Sequence, residues 1–150
     1  MRIKQTIKAG SGLIFAAFFI AFSSINFANA STVVIVSKDS PVTQLTQHQV
    51  RQIFLKQNKY FPGGSSAIPI DQTANRVIKK DFYQSVAHMT GAQWMSYWSK
   101  LVFTGKKNPP RLSADSTGVV KLVASGNHFI GYIDSESVDN QVKVVYALPN

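Results

Sequence analysis

The stretch AIPIDQTANRVIKKDFYQSV, residues 67–86, predicts a strand, a polar turn and the start of an amphipathic helix. Ile68 and Ile70 are the apolar strand residues. Pro69 between them suits an edge strand or a strand end, because proline has no N–H to donate to a neighbouring strand. Beyond the turn, four apolar residues recur at helical steps and share one face: Ile78, Phe82, Val86 and Met89.

The turn between that strand and that helix is polar and carries one cation. Oxygen-bearing side chains stand where a helix needs caps for its unpaired N–H groups: Asp71, Gln72, Thr73 and Asn75. Arg76 lies in the first helical turn, where the helix dipole does not favour a cation, beside several backbone donors. Such a turn can bind a small anion through its N–H groups and the guanidinium. The competing interpretation is a capped strand–helix junction with a solvated arginine.

The first thirty residues have the features of a secretory signal peptide. A positively charged start precedes an apolar run over residues 13–22, and Ala28-Asn29-Ala30 forms a small-residue cleavage site. The run is shorter than the roughly 20 residues that a membrane span needs, so an uncleaved anchor is the weaker alternative. We therefore expect the export machinery to engage residues 1–30 and cleavage to leave residues 31–150 as one soluble periplasmic domain. No cysteine stands near the cleavage site, so no lipid anchor is expected.

The composition of residues 31–150 limits the chemistry of the domain. The chain contains no cysteine, which excludes disulfides, cysteine catalysis, iron–sulfur clusters and thiolate zinc sites. The domain carries 13 Lys or Arg and 7 Asp or Glu, so its net charge is +6. Nucleic acid is not an expected partner, because the basic residues of this exported domain are not interleaved with aromatic residues along one face.

Strands and helices alternate along the domain. Apolar runs and helical periodicity predict further strands over residues 32–37, 128–133 and 142–148, and helices over residues 47–56, 90–103 and beyond the polar cluster 113–117. Two helices open with the spacing of a capping box, at Thr46/Gln49 and Thr90/Gln93. Gly105 is a plausible helix-ending residue, and Gly131 marks a bulge or a close approach of the backbone. This order predicts an α/β domain with an open, at least partly parallel sheet.

The loops beyond the predicted strands are where a ligand is expected. Open α/β sheets bind ligands outside the carboxyl ends of their strands, at helix N-termini. Three loops fit that description, residues 37–40, 71–76 and 113–118, and each is rich in Ser, Thr, Asn or Asp.

A series of short motifs resembles one family of exported proteins. Ile53-Phe54-Leu55-Lys56, Phe61-Pro62-Gly63 and Pro69-Ile70-Asp71 resemble the "IFLGK…W/F-x-D-G…P" segment of phosphate-binding proteins, the substrate-binding components of phosphate ABC transporters. Further matches are Gln93-Trp94, Tyr97-Trp98, Phe103-Thr104-Gly105, Pro109, and Gly126 with Phe129-Ile130-Gly131-Tyr132. The likeness runs through nearly all of residues 32–148. It implies a single lobe of a type II periplasmic-binding-protein-like fold, with an open mixed sheet flanked by helices.

The resemblance also implies an oxyanion site, which this chain builds differently. Full-length relatives have two lobes that close on the ligand, and residues 31–150 supply about one. Those relatives carry an Arg followed by Ser-Gly-Thr at a helix N-terminus; here Arg76 lies on the other side of the turn and the Ser-Gly-Thr is missing. Asp71 would oppose an anion unless its side chain turned away. The ligand-binding residues that we predict are Gln72, Thr73, Asn75 and Arg76, with Ser116 and Thr117 opposite them.

Two functions of different classes follow from these patterns. The first is a phosphate-binding-type domain that binds phosphate or another small oxyanion weakly, because one lobe covers a ligand poorly. The second is a ligand-free interaction or accessory module for a membrane sensor or transporter. An exposed apolar patch among Tyr60, Phe61 and Tyr83 would support the second function.

An enzymatic function is the least favoured class. The acidic residues are few and spread out, and no stretch resembles a nucleophile elbow or a zinc-binding helix. His48, His88 and His128 lie far apart in sequence, which disfavours a metal site. We therefore predict no catalytic residues, no cofactor and no metal ligands.

Overall fold

A computed structural model of the chain describes residues 31–73 and 76–149, and of Arg76 it describes the backbone alone. The signal-peptide prediction for residues 1–30 lies outside the described residues. The elements follow in the order β1 (Thr32–Ser37), α1 (Gln47–Phe54), β2 (Ile68–Gln72), α2 (Arg76–Ala87), α3 (Gly91–Phe103), β3 (Arg111–Ser113), α4 (Ser116–Ala124), β4 (Phe129–Asp134) and β5 (Val142–Ala147), with a 3₁₀ turn (Ser135–Ser137) after β4. No helix in these ranges combines the length and the apolar composition that a membrane span requires.

The five strands form one open, mixed sheet in the order β3-β2-β4-β1-β5. β2 pairs in parallel with β3 and with β4, whereas β1 runs antiparallel to β4 and β5. The predicted α/β fold with a partly parallel sheet is confirmed. The direction of β1 contradicts one expectation. Residues 37–40 follow its carboxyl end, where the Lys38 N–H donates to the Gln141 carbonyl at 3.0 Å, just before β5 begins. That loop therefore lies at the opposite end of the strands from residues 71–73 and 113–118.

β2 is the second strand of the sheet, and Pro69 lies near its beginning. β3 pairs with β2 only from Ile70 to Gln72, so at Pro69 the strand has one neighbour, β4. This placement matches the strand-end alternative and not the edge-strand alternative. It leaves the missing N–H of the proline where no second strand needs it.

The two faces of the sheet bury separate hydrophobic cores, so the domain has three layers. α1, α2 and α3 cover one face, where Phe54, Phe82 and Trp94 pack near Tyr132 of β4. α4 covers the other face and buries Val119, Val120 and Val123 against β1, β2 and β4. Three of the apolar residues predicted to share one face of α2 are buried in the first core, and the fourth packs against its edge: Ile78, Phe82, Val86 and Met89.

The predicted helix caps are present. In α1 the Gln49 N–H donates to Thr46 Oγ1 at 3.3 Å and the Thr46 N–H donates to Gln49 Oε1 at 2.8 Å. The same reciprocal pair opens α3 at Thr90 and Gln93. α1 ends two residues earlier than predicted, because Lys56 takes a left-handed conformation with φ 52°. The strand β3 was not predicted from the sequence.

Gly131 in β4 lies so close to α4 that no side chain fits there. A Cβ at this position would collide with Val119 Cγ1 and lie 3.3 Å from Val123 Cγ2, which confirms the predicted close approach. We expect Gly131→Ala to lower the free energy of unfolding by about 1–3 kcal/mol through overpacking. Urea unfolding measures this loss. Gly91→Ala is the matched control, because a Cβ there has no atom within 4 Å; equal stabilities of the two variants would contradict the prediction.

Candidate functional site

The loops that follow β2 and β3 are hydrogen-bonded to each other at the carboxyl ends of these two parallel strands. The Thr73 N–H donates to the Ser113 carbonyl at 3.0 Å. The Thr73 hydroxyl is shared between the Ser113 carbonyl at 3.3 Å and the Ala114 carbonyl at 3.4 Å. Residues 71–73 and 113–118, which we call the β2–β3 corner, are therefore neighbours. Each loop leads into a helix, so the positive ends of the α2 and α4 dipoles lie at the same end of the strands.

Gln72 lies inside this corner and not on its surface. The residue is fully buried, and its Nε2 donates to the Tyr132 carbonyl at 2.6 Å and to Ser116 Oγ at 3.3 Å. Its Oε1 has no hydrogen-bond partner. Gln72 thus connects the start of α4 to the end of β4 and fixes the position of Ser116.

Ser116 and Thr117 occupy the first two positions of α4, where backbone N–H groups have no partner within the helix. Ser116 is half-buried and Thr117 is exposed. Asp115 is the N-cap residue, and its carboxylate accepts from the Gly118 N–H at 2.8 Å. The start of α4 therefore offers two N–H groups and two hydroxyls to an anion, next to a carboxylate that opposes one.

Asn75 and the side chain of Arg76 lie outside the described residues, so their predicted contacts with an anion stay predictions. α2 begins at Arg76, which places its backbone in the first helical turn. Thr73 is the exposed member of the predicted set on the β2 side.

Asp71 is turned away from the corner and buried beneath α2. It is 2% exposed, and its Oδ2 accepts from the Tyr83 hydroxyl at 3.0 Å and pairs with Lys79 Nζ at 2.9 Å. Its Oδ1 accepts from the Tyr132 hydroxyl and from the Gln72 N–H at 2.7 Å. The carboxylate therefore connects β2 to α2 and β4. Because it is turned away and paired, it meets the condition set out above, that Asp71 must not face an anion bound at the corner. One sequence signal pointed to this cluster: Lys79 and Tyr83 are one helical turn apart, on the helix that follows Asp71.

The same cluster perturbs the tyrosines. Burial raises the pKa of Tyr83 well above its usual range, and the neighbouring Asp71 carboxylate raises it further. The pKa of Tyr132 is raised for the same two reasons, burial first. Both hydroxyls therefore stay protonated as donors to Asp71 at neutral pH.

The exposed apolar patch among Tyr60, Phe61 and Tyr83 that would support the interaction-module function is not formed. Phe61 and Tyr83 are 2% and 3% exposed, because Phe61 is anchored in the first core and Tyr83 stacks on Trp94.

Within residues 31–73 and 76–149, no group of three or more His, Asp or Glu side chains is arranged to hold a metal ion.

Solved structures of binding proteins share this fold. A protein from Clostridium perfringens described as a phosphate ABC transporter substrate-binding protein, with bound phosphate, is 18% identical with a TM-score of 0.61; the match covers 77% of this chain and 44% of that one. An ABC-type phosphate transport receptor from Vibrio cholerae is 17% identical with a TM-score of 0.60, and the coverage is 77% and 45%. PstS from Borrelia burgdorferi is 13% identical with a TM-score of 0.54, and the coverage is 77% and 46%.

These similarities establish the fold. The chain spans less than half the length of the three structures, and its identity to each is below one in five residues. No protein-family model and no curated protein sequence matches the chain. The neighbours are binding proteins and not enzymes by their descriptions, which agrees with the predicted periplasmic-binding-protein-like fold.

Proposed function

We propose that residues 31–150 form an exported, periplasmic substrate-binding-type domain that binds phosphate or another small oxyanion at the β2–β3 corner. One observation carries the proposal: the Thr73 N–H bond to the Ser113 carbonyl holds the N-termini of α2 and α4 at one end of the strands. Two helix N-termini and their hydroxyls provide the donors that an oxyanion needs. The similar fold of proteins described as phosphate-binding supports this class of ligand.

The predicted site residues take different parts in this proposal. Thr73, Ser116 and Thr117 belong to the corner. The parts of Asn75 and of the Arg76 side chain rest on the sequence alone. Gln72 is buried, so we assign it the part of positioning Ser116 and not that of touching the anion.

Binding at this corner should be weak. A site covered from one side leaves most of a small ligand in water, and the match spans less than half the length of the similar structures. The Asp115 carboxylate also faces the start of α4 and repels an anion. A dissociation constant of about 1 mM, equivalent to about −4 kcal/mol, fits such a site.

Calorimetric titration of residues 31–150 with phosphate tests the proposal. We expect millimolar binding, and we expect Arg76→Ala to weaken it about tenfold by removing a charge-assisted contact. Asp115→Asn should tighten binding, because Asn caps a helix equally well and carries no charge. Lys38→Ala is the control, since Lys38 is an exposed cation in the turn after β1, at the opposite end of the strands. Absence of heat at 20 mM phosphate, or equal affinities of Arg76→Ala and Lys38→Ala, would rule the site out.

A second function, an accessory module for a membrane sensor or transporter, is favoured by the length of the chain. A lobe that spans less than half of its structural neighbours has a ligand face that another protein can complete. A pull-down from detergent-solubilised membranes that recovers a membrane protein, together with no phosphate heat, would select this function.

A further inference from the structure

An open groove lies between α1, α3 and the α2–α3 connection, on the face of the domain that the three helices cover. Its volume is about 660 Å³. Four of its lining residues follow one another at helical spacing on α3: Gln93, Ser96, Tyr97 and Lys100. Arg51 of α1 lines the opposite wall, and residues 87–89 close one end. The groove is therefore formed by other residues than those of the β2–β3 corner.

The groove is positively charged and lacks a carboxylate. Arg51, His88 and Lys100 line it, and none of the seven acidic residues does. Arg51 Nε is buried and has no hydrogen-bond partner, and no carboxylate lies within ion-pair distance of this guanidinium in the described ranges. Arg51 as a whole is half-buried and lines the groove. Its charge is therefore not neutralised by a neighbouring carboxylate and can attract an anionic group into the groove.

His88 is held in a strained conformation at the end of this groove. Its φ is 56°, in the left-handed region that favours glycine. His88 directly follows the last residue of α2, at the position where glycine is usual, and the Met89 N–H after it donates back to the Tyr83 carbonyl at 3.2 Å. A side chain kept at an unfavourable backbone position is a reason to look for a use of that side chain.

The charge of residues 31–149 is divided unevenly between the part of the sequence that contains α1, α2 and α3 and the part that contains α4. Residues 47–111, which contain α1, α2 and α3, carry ten Lys or Arg and two Asp. One of those two, Asp71, is buried and paired. Residues 31–46 and 112–149, which contain α4, carry three Lys and five Asp or Glu. The three-helix side is therefore strongly basic, and the groove lies in it.

We propose that this groove is the docking site for an extended, acidic segment of a partner protein. From Gln93 to Lys100 the wall of α3 is about 10 Å long at 1.5 Å per residue, which matches about three residues of extended chain at 3.3 Å each. Carboxylates on alternate residues of such a segment reach Arg51, His88 and Lys100. A small molecule would be covered poorly by so open a groove, and a flat membrane would not reach the partly buried Arg51. The proposal is independent of oxyanion binding at the β2–β3 corner.

The test is fluorescence anisotropy with a labelled octapeptide of alternating Glu and Ser, titrated with residues 31–150 at 50 mM salt. We expect Lys100→Gln and Arg51→Gln each to weaken binding at least fivefold. The controls Lys80→Gln and Lys121→Gln remove the same charge from exposed sites outside the groove, and they should change binding less than twofold. A peptide with Gln in place of Glu should not bind.

His88→Gly separates a binding role from a structural one. Glycine relieves the left-handed backbone, so the urea midpoint should rise while peptide affinity falls. Arg76→Ala should leave peptide binding unchanged, which distinguishes this groove from the oxyanion site. The proposal is overturned if Lys80→Gln weakens binding as much as Lys100→Gln, since net charge alone would then explain it. It is overturned too if anionic phosphatidylglycerol vesicles bind the protein while the peptide does not.

Discussion

Asp71→Ala is expected to lower the free energy of unfolding by about 3–4 kcal/mol. The substitution leaves the hydroxyls of Tyr83 and Tyr132 buried without their acceptor, and each unsatisfied buried donor costs about 1–3 kcal/mol. Lys79 adds little to this loss, because its side chain is 28% exposed and can turn to water. Urea unfolding followed by far-ultraviolet circular dichroism measures the change.

The matched control for this variant is Asp39→Ala, which removes an exposed aspartate from the turn after β1. Tyr83→Phe in the Asp71→Ala background should recover part of the stability, because it removes one of the two orphaned hydroxyls. A loss as small as that of the control would show that the carboxylate does not hold β2, α2 and β4 together. Phosphate affinity of Asp71→Asn then reports whether the cluster also sets the geometry of the β2–β3 corner.

Features set by neighbouring residues could be predicted from the sequence. The capping boxes at Thr46 and Thr90 need only a threonine and a glutamine three residues apart, and both formed. The left-handed Gly105 and the close approach at Gly131 also follow from the residue type. The apolar spacing of α2 identified the residues that enter the first core, because helical period and burial agree there.

Features that depend on how strands are arranged could not be predicted in the same way. β3 has three residues and pairs with one strand, so it has no periodicity that a sequence pattern could show. The direction of β1 is set by its pairing with β4 and β5, and a buried apolar strand reads the same in both directions. That ambiguity is why residues 37–40 were expected at the wrong end of the strands.

The candidate site shows the same division between local and distant information. Residues 71–76 and 113–118 were both predicted as ligand loops from the rule that open α/β sheets bind ligands at helix N-termini, although β3 itself was not predicted. The partners of Asp71 did not, because Tyr132 is 61 residues away and reaches it only through the pairing of β2 with β4. Tyr83 was assigned to an exposed patch because a tyrosine on an amphipathic helix can lie at either border of the buried face.

Alkaline pH is expected to unfold this domain earlier than its composition alone suggests. The pKa values of Tyr83 and Tyr132 are raised in the folded state, while an unfolded tyrosine has a pKa of about 10. Below pH 10 both states keep these protons, and the contribution of the two hydroxyls to stability is complete. Above pH 10 the unfolded state loses them and the folded state does not, so stability falls by about 1.4 kcal/mol per pH unit for each tyrosine.

Two such tyrosines give a loss of about 4 kcal/mol between pH 10 and pH 11.5. Urea midpoints measured at steps of pH across this window, with tyrosinate absorbance recorded in parallel, test the expectation. Tyr132→Phe and Tyr83→Phe should each reduce the slope by about half, and Tyr60→Phe, which removes an exposed hydroxyl, should leave it unchanged. A slope that is the same in all three variants would mean that other groups cause the alkaline transition. If absorbance rises near pH 10 before the protein unfolds, and Tyr83→Phe and Tyr132→Phe each reduce that rise, the two hydroxyls are open to water. The buried carboxylate–tyrosine cluster would then not hold α2 on the sheet.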